Sequence, residues 1–346
     1  MANPKVTVLM SVYNGEKYLR EAVDSILNQT FKDFEFLIIN DGSTDRTAEI
    51  LKSYHDLRIN IITNEKNIGL TKSLNKGLKV ARGEYIARMD ADDISIPKRL
   101  EAEYAFLKSH PRVGVVSSDV HFIDKKSRKI GTWKSCHTPE DLYYTLNFIN
   151  CVAHSTIMFR KDVIREIGNY DETIIRAQDY DLWCRLSKVT KIYKIQEVLV
   201  LFRKTKDNIS HTFKNEQEKT ANIIVKRNLE NLLKTKLEDD ELMSLQHNKV
   251  SKFSDIKRLI FILQNINNNL LLSESENIQK IGLNKKEIRK FMNKKIANLL
   301  VAYIKCASPL ESLKLILSFR PYLVSILFRH IISTIINKFK ILLIHK

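Results

Sequence analysis

The sequence is poor in cysteine, and its four cysteines are far apart. Cys136, Cys151, Cys184 and Cys306 contain no Cys-x-x-Cys spacing. This pattern indicates neither a zinc site nor a disulfide framework, and it suits a reducing cytosol. The first ten residues lack the shape of a signal peptide, because residues 1–4 lead directly into an apolar strand pattern. We therefore expect a cytoplasmic protein.

Two glycine-rich phosphate-binding motifs are also missing. No Gly-x-Gly-x-x-Gly follows the first strand pattern, and no Gly-Lys-Ser/Thr sequence occurs anywhere in the chain. A dinucleotide-binding fingerprint and a Walker loop are therefore not supported. Any nucleotide site in this chain must be built from other residues.

Apolar strand patterns alternate with helical patterns through the first half of the chain. The strand patterns cover residues 5–12, 34–39 and 59–63, and the helical patterns cover residues 16–27 and 70–81. This alternation predicts an α/β domain whose mostly parallel sheet carries helices on both faces. Loops 13–15, 41–45 and 90–93 should then gather at the carboxyl edge of the sheet, where open α/β sheets bind ligands.

A tight carboxylate cluster follows the strand pattern of residues 84–89. Asp90, Asp92 and Asp93 lie within four residues, and they repel one another unless a cation or solvent neutralises them. Hard oxygen ligands suit Mg²⁺ or Mn²⁺, which bind through one or two carboxylates plus substrate phosphates. The alternative is a solvated acidic turn before the helix that begins near Pro97.

Six sequence segments occur together in a characteristic order. They are Ser11–Leu19, Ile39–Asp45, Asn67–Leu70, Ala81–Tyr85, Asp90–Asp93 and Ala177–Trp183. In this order and at these spacings they resemble family 2 glycosyltransferases, which have the GT-A fold. The resemblance covers about residues 4–212. It implies a nucleotide-sugar donor, with a UDP-sugar favoured, a divalent metal and inversion at the anomeric carbon.

The resemblance also implies roles for individual residues. The donor contacts would be Tyr13, Asn14, Asp41, Lys72, Asp90 and Arg203. Asp41 would face the uracil ring, although turn chemistry also explains an Asp before Gly42. Arg203 would bind the diphosphate. Asp92, with Asp90, would hold Mn²⁺ or Mg²⁺, which stabilises the leaving nucleoside diphosphate. Lys72 would reach a phosphate or the first carboxylate of the cluster, or remain a solvated helix residue. Asp45 is expected to be structural, since Ser43, Thr44 or Asp45 can cap the next helix.

Asp179 is the expected general base. Glycosyl transfer needs a carboxylate that deprotonates the acceptor hydroxyl as it attacks, and a helix predicted over residues 178–188 presents Asp179 near its first turn. The family usually carries Glu-Asp here, whereas this chain has Gln178 before Asp179. Asp181 is the rival base, but an ion pair with Arg185 at the i, i+4 position is the better expectation.

Further candidates lie toward the acceptor or around the metal. They are Asp93, His154, Gln178, Trp183 and His211. Thr205 stands where the family usually carries a histidine, so either His211 takes that place or metal binding is weaker. Trp183 would stack on an acceptor ring or, alternatively, belong to the core.

The net charge of +17 is concentrated in the second part of the chain. Residues 214–346 hold twenty-four Lys and Arg against twelve Asp and Glu, a net charge of +12. Over residues 310–346 a wide apolar helix face with a basic rim is predicted. No stretch of eighteen residues there is free of charge, so we expect an interfacial helix on anionic lipid rather than a membrane span. The alternative is a helix that packs on the catalytic domain or mediates homodimers.

We therefore predict a GT-A catalytic domain over residues 1–213 and a helical basic region over residues 214–346, peripheral on the inner face of the cell membrane. The expected acceptor is a saccharide or lipid-linked saccharide of surface polysaccharide synthesis. No nucleic-acid-binding module accompanies the charge, so no nucleic-acid partner is expected. Two alternatives remain: a sugar nucleotidyltransferase, whose early Gly-rich basic loop is not apparent in Ser11–Arg20, and a membrane-associated scaffold without turnover.

Overall fold

The structure, a computed structural model, describes most of the chain. The described residues are 3–136, 138–205, 212–250, 252–273, 275–308, 310–312 and 315. They form two compact units. The first runs to Leu146 and continues from Asn150 to Ile224, and the second comprises Asn147–Ile149 and the described residues from Val225 onward.

A mixed nine-stranded sheet organises the first unit. Its strands are β1 (Val6–Val12), β2 (Phe34–Asn40), β3 (Ile59–Thr63), β4 (Tyr85–Asp90), β5 (Ile94–Ser95), β6 (Val113–Ile123), β7 (Lys129–Trp133), β8 (Met158–Arg160) and β9 (Lys191–Arg203). The strand order is β3-β2-β1-β4-β8-β6-β9-β5, with β7 beside β6. Strands β1 to β4 pair in parallel with one another, as do β6 and β9, whereas β5, β7 and β8 run antiparallel to their neighbours.

The central strands are buried on both faces. All seven residues of β1 and all seven of β2 are buried, as expected for parallel strands that are covered on both sides. Val8, Met10 and Phe36 from these strands share one core with Val23 and Ile26 of the first helix. The predicted strands over residues 5–12, 34–39 and 59–63 are therefore confirmed.

Helices of the first unit connect these strands. They are α1 (Leu19–Leu27), α2 (Thr47–Lys52), α3 (Leu70–Val80), α4 (Arg99–Ser109), α5 (Pro139–Thr145), α6 (Lys161–Glu166) and α7 (Gln178–Leu186), with a 3₁₀ turn at His154–Thr156. In α1 the buried residues Leu19, Ala22, Val23 and Ile26 follow the i, i+3, i+4, i+7 spacing of an amphipathic helix. The three helices predicted over residues 16–27, 70–81 and 178–188 are thus confirmed.

Helices also build the described part of the C-terminal region. They are α8 (Lys214–Leu233), α9 (Asp239–His247), α10 (Phe253–Ser273), α11 (Ser275–Lys280) and α12 (Lys285–Cys306). Leu229, Ile256, Leu263, Ile288 and Leu299 are fully buried in the second unit. Most of the amphipathic tail predicted over residues 310–346 lies outside the described residues. In the part of the chain that the structure covers, no helix is both long and apolar enough to cross a membrane.

Candidate active site

Loops from three strands meet at one edge of the sheet. Strands β1 and β4 run in register, so that Ser11 lies beside Asp90. The loop after β1 is bonded to the loop after β2, since the Asn14 N–H donates to Ser43 Oγ over 3.0 Å and Asn14 Oδ1 accepts from the Thr44 N–H over 2.8 Å. The predicted gathering of these loops is confirmed.

Asp45 fastens the same two loops together. Its carboxylate accepts the Thr47 N–H, in the first turn of α2, over 2.9 Å and the Glu16 N–H over 3.0 Å. Burial opposes ionisation, but the hydrogen bonds prevail and lower the pKa of Asp45. Asp45 thus has the structural role that was expected, although the N-cap position of α2 is occupied by Arg46, which forms no side-chain capping bond.

Asp41 is buried where β2 ends, with 2% of its surface exposed. Its Oδ1 accepts Asn64 Nδ2 over 2.8 Å and the Ile68 N–H over 3.0 Å, and its Oδ2 accepts the Gly69 N–H over 3.0 Å. Gly69 has a φ of +92°, which favours glycine. Asp41 thus holds the loop that begins α3, and its contact with a nucleotide base stays a prediction.

The three clustered carboxylates have different surroundings. Asp90 has a side chain that is 30% exposed and lies 2.6 Å from the Arg88 guanidinium. Burial, together with the charge of Asp90, raises the pKa of Asp92 to about 7. Asp93 is 1% exposed, its Oδ1 accepts the Arg203 N–H over 2.8 Å, and burial raises the pKa of its carboxyl well above the ordinary range. The protein therefore supplies too little positive charge near the cluster to offset the repulsion among its carboxylates.

The donor set at this cluster fits a hard divalent cation. Among the described residues, no three histidine, cysteine or acidic side chains converge on a metal. Mg²⁺ and Mn²⁺ need fewer protein ligands when substrate phosphates complete the coordination. Asp90 and Asp92 offer carboxylate oxygens whose mutual repulsion raises the pKa of Asp92, and a cation would relieve that repulsion. These two residues can hold the metal that the family resemblance implies.

Arg203 has protein partners where a diphosphate contact was predicted. Its side chain is fully buried and lies over the Tyr18 ring, 4.2 Å from the ring centroid. Its acceptors are the carbonyl oxygens of Asp92 (2.8 Å) and Asp124 (3.1 Å), the Ser127 hydroxyl (3.0 Å) and the Glu21 carboxylate (2.7 Å). Because these groups already engage the guanidinium, the structure does not support direct binding of a diphosphate. Arg203 positions the Asp92–Asp93 segment instead.

Asp179 lies in the first turn of α7. Burial raises the pKa of its carboxyl, and the charge of Asp90 acts in the same direction. Asn150 Nδ2 donates to Asp179 Oδ2 over 3.0 Å, which fixes the orientation of the carboxylate. A carboxylate with a raised pKa is a stronger general base. Gln178, which precedes it, is 8% exposed.

The neighbouring aromatic residues form a buried layer. His154 Nε2 lies 2.7 Å from the Tyr170 hydroxyl, and the His154 ring meets Trp183 edge to face. Burial, and then the charge of Arg88, keep the pKa of His154 well below its ordinary value, so this imidazole is neutral at pH 7. Trp183 is completely buried, so the core alternative holds and stacking on an acceptor is excluded.

Asp181 is also accounted for by the structure. It is 1% exposed, and its Oδ2 lies 2.7 Å from Arg185 Nε, one helical turn later. The predicted i, i+4 ion pair is confirmed. A carboxylate held in this way is a poor rival to Asp179 as the base.

Arg88 is the main residue that sequence reasoning missed. Its side chain is 1% exposed, and among the described residues its guanidinium nitrogens make no hydrogen bond of ordinary geometry apart from the close ion pair with Asp90. Arg88 and Asp90 lie two residues apart on one strand, so they share a face of the sheet. A charged residue inside an otherwise apolar strand was the available signal. Asn150 and Tyr170 carried no comparable signal.

The remaining predicted residues lie at the rim of the site or beyond the described chain. Tyr13 is 49% exposed beside the loop after β1, and Lys72 is exposed in the first turn of α3. Their contacts with a donor stay predictions. His211 lies outside the described residues, so the structure does not test whether it replaces the histidine expected at Thr205.

Comparisons with known proteins identify related proteins. A family model described as glycosyl transferase family 2 matches residues 7–168. An uncharacterized glycosyltransferase of Methanocaldococcus jannaschii is 39% identical over 215 residues, which are 59% of this chain and 72% of that protein. The O-antigen biosynthesis glycosyltransferase WbnJ of Escherichia coli is 38% identical over 185 residues, which are 52% of this chain and 71% of that protein.

Two solved structures share the fold. The complex of S. aureus TarS with UDP-GlcNAc matches with a TM-score of 0.54 and 20% identity, over 86% of this chain and 81% of that chain. The mannosyltransferase PcManGT from Pyrobaculum calidifontis, in complex with GDP-Man and Mn²⁺, matches with a TM-score of 0.51 and 15% identity, over 98% of this chain and 89% of that chain. These likenesses confirm the predicted GT-A fold.

Proposed function

Because the chain belongs to glycosyltransferase family 2, we propose that it moves a sugar from a nucleotide-sugar donor to a hydroxyl of a saccharide acceptor, with inversion. The observation that carries this proposal is the half-buried Asp179 carboxylate, which Asn150 Nδ2 orients over 3.0 Å and whose pKa is raised by burial and by the charge of Asp90 in the strand-end cluster. The complexes of TarS with UDP-GlcNAc and of PcManGT with GDP-Man support a nucleotide-sugar donor. A UDP-sugar is the first candidate.

The donor occupies the edge formed by the loops after β1, β2 and β4. Tyr13 and Asn14 line its nucleoside side, Asp41 faces the base, and Lys72 lies within reach of the phosphates. Asp90 and Asp92 would hold Mn²⁺ or Mg²⁺, which would supply positive charge to the departing diphosphate. The Mn²⁺ in the PcManGT complex supports a divalent metal.

Asp179 accepts the proton of the acceptor hydroxyl. As that oxygen bonds to the anomeric carbon, the bond from this carbon to the donor phosphate breaks on the opposite face, and the configuration inverts. Asn150 orients the base through its 3.0 Å hydrogen bond. The raised pKa of Asp179 makes the carboxylate a better proton acceptor.

The acceptor belongs to cell-surface polysaccharide synthesis and is a lipid-linked saccharide at the inner face of the membrane. The similarity to an O-antigen biosynthesis enzyme supports this context. The net charge of +12 over residues 214–346 suits an anionic lipid surface. Two alternative roles of these residues are packing of the tail on the catalytic domain and homodimer formation through the C-terminal helices.

Replacement of Asp179 by Asn tests the function. The amide keeps the shape of the side chain but cannot accept the proton, so turnover should fall by about 10²- to 10⁴-fold while UDP binding stays within about threefold. Asp181→Asn is the matched control, because it removes an acid in the same helix whose partner is Arg185; it should reduce stability more than turnover. Unchanged turnover of Asp179→Asn would show that Asp179 is not the base, whereas UDP binding without turnover in the wild type would favour a nucleotide-sugar-binding scaffold.

A further inference from the structure

A groove of about 860 Å³ lies between α3 and residues 161–172. We name it the basic groove after the five cations that line it. These cations are Lys72, Lys76, Lys79, Lys161 and Arg165. Glu172 is the one acid among the described residues that line it, so the lining carries a net charge of +4.

Regular spacing brings the α3 cations together. Lys72, Lys76 and Lys79 stand at positions i, i+4 and i+7 and therefore share a helix face. With a rise of about 1.5 Å per residue, Lys72 and Lys79 lie about 10 Å apart along the helix. Lys161 and Arg165 add charge from the first and last turns of α6. The groove thus presents a line of cations rather than a single charged point.

The described part of the chain does not neutralise these charges. Among the described residues, none of the five cations forms an ion pair. Lys76 Nζ donates to Asn64 Oδ1 over 2.7 Å and Lys161 Nζ donates to the Ala81 carbonyl, both neutral acceptors. Glu172 accepts Asn75 Nδ2 over 3.0 Å instead of a lysine. A concave surface lined by one sign of charge concentrates ligands of the opposite sign.

Tyr170 connects the basic groove to the active site. It lines the groove. Asn75 Nδ2 donates to the Tyr170 carbonyl over 2.9 Å, and the Tyr170 N–H donates to Asn75 Oδ1 over 3.1 Å. Its hydroxyl lies 2.7 Å from His154 Nε2, and His154 packs on Trp183 of α7, the helix that carries Asp179. A chain lying in the groove therefore passes within a few side chains of the base.

We propose that the basic groove binds an anionic saccharide chain, the acceptor of the proposed transfer, through its phosphate or carboxylate groups. The cations, spread over about 10 Å of α3, fit repeated charges along a chain, and the concave shape does not fit a flat bilayer. This inference rests on the proposed function and narrows its substrate class.

The test compares two double variants of the full-length chain. Lys79→Gln/Arg165→Gln removes two exposed cations of the groove, and Lys32→Gln/Lys52→Gln removes two exposed cations elsewhere. The probe is a fluorescent oligogalacturonate, titrated at low salt with a neutral dextran oligosaccharide as reference. We expect the groove variant to weaken oligogalacturonate binding by about tenfold, the control variant to bind like the wild type, and dextran not to bind.

Other results would overturn the inference. Equal weakening in both variants would mean general attraction to a basic protein. If the wild type does not bind oligogalacturonate but binds phosphatidylglycerol vesicles, and the groove variant loses that binding, the groove is a lipid site. The same pattern with inorganic phosphate would mean a free-anion site. UDP binding is measured on the same samples. If the wild type does not bind UDP, the result counts against the proposed function. If UDP binds but oligogalacturonate does not, only the inference about the groove is overturned.

Discussion

Buried arginines hold the carboxylates of the site in place. Arg88 pairs with Asp90 from the same strand, and Arg203 binds the Asp92 carbonyl from β9. The sequence predicted the acidic residues because they are clustered in the chain. It could not predict the role of Arg203, because its partner Glu21 lies 182 residues away and only the folded chain brings the two together.

Arg88→Met should destabilise the protein. A buried charge pair that loses one partner costs about 3 kcal/mol or more, and the partial exposure of Asp90 reduces our expectation to about 2 kcal/mol. Arg88→Lys should cost less, since it keeps the charge. The measurement is urea unfolding of the metal-free protein.

Arg46→Met is the control for that series, because Arg46 pairs with Glu16 at an exposed position. It should change the free energy of unfolding by less than about 1 kcal/mol. If Arg88→Met unfolds at the same urea concentration as the wild type, Arg88 does not stabilise the cluster.

Asn150→Ala should shift the pH dependence of the reaction. The Asn150 hydrogen bond favours the charged form of Asp179, so its loss raises the pKa of Asp179 further. The base acts when ionised, and activity is lost as pH falls through that pKa. The acidic limb of the kcat/KM profile should therefore move to higher pH. If the maximum of kcat/KM falls but the midpoint of the acidic limb does not move, Asn150 does not lower the pKa of Asp179.

At the scale of elements, the first parallel strands were predicted, whereas β5 to β9 were not, including the long strands β6 and β9. The parallel strands β1 to β3 and helices α1, α3 and α7 followed from apolar spacing. Strands β5 and β8 contain two and three residues, too few for an alternating pattern to be recognised. Strand β8 nevertheless joins β4 to β6, so the antiparallel pairings of this part of the sheet could not be predicted from the sequence.

Gly83→Ala should destabilise the turn between α3 and β4. A Cβ at this position would meet the backbone of β1, 2.7 Å from the Val6 carbonyl carbon and also against the Thr7 nitrogen. Backbone atoms of a central strand cannot move aside, so we expect a loss of about 2 kcal/mol or more. Gly131→Ala is the control, since its Cβ would lie 3.6 Å from Phe122 and should cost less than about 0.5 kcal/mol. Equal unfolding midpoints for the two variants would contradict the close approach at Gly83.

At the scale of the whole molecule, chemistry and charge are distributed unequally. The residues assigned to transfer lie in the first unit, whereas +12 of the +17 net charge belongs to residues 214–346. The unequal distribution of net charge along the chain could be predicted from composition alone. Composition could not reveal the basic groove, because its five cations come from two helices separated by more than eighty residues.

Deletion of residues 310–346 should release the protein from anionic membranes. These residues carry six Lys and Arg against one acid, and basic residues near an anionic bilayer contribute about 1 kcal/mol each. Flotation with phosphatidylglycerol vesicles at low and high salt measures the effect, and UDP binding reports that the catalytic unit is intact. Unchanged flotation of the shortened chain would rule out the tail as the membrane anchor.

We propose that this edge of the sheet binds a nucleotide sugar through Asp41 and a metal through Asp92. Calorimetric titration of the full chain with UDP-, GDP- and dTDP-sugars, with and without Mn²⁺, tests it most directly. We predict that one nucleotide class binds in a Mn²⁺-dependent manner and that Asp92→Asn weakens this binding by about tenfold or more. Binding of none of these donors by a folded wild-type chain, or equal binding by Asp92→Asn, would contradict the account.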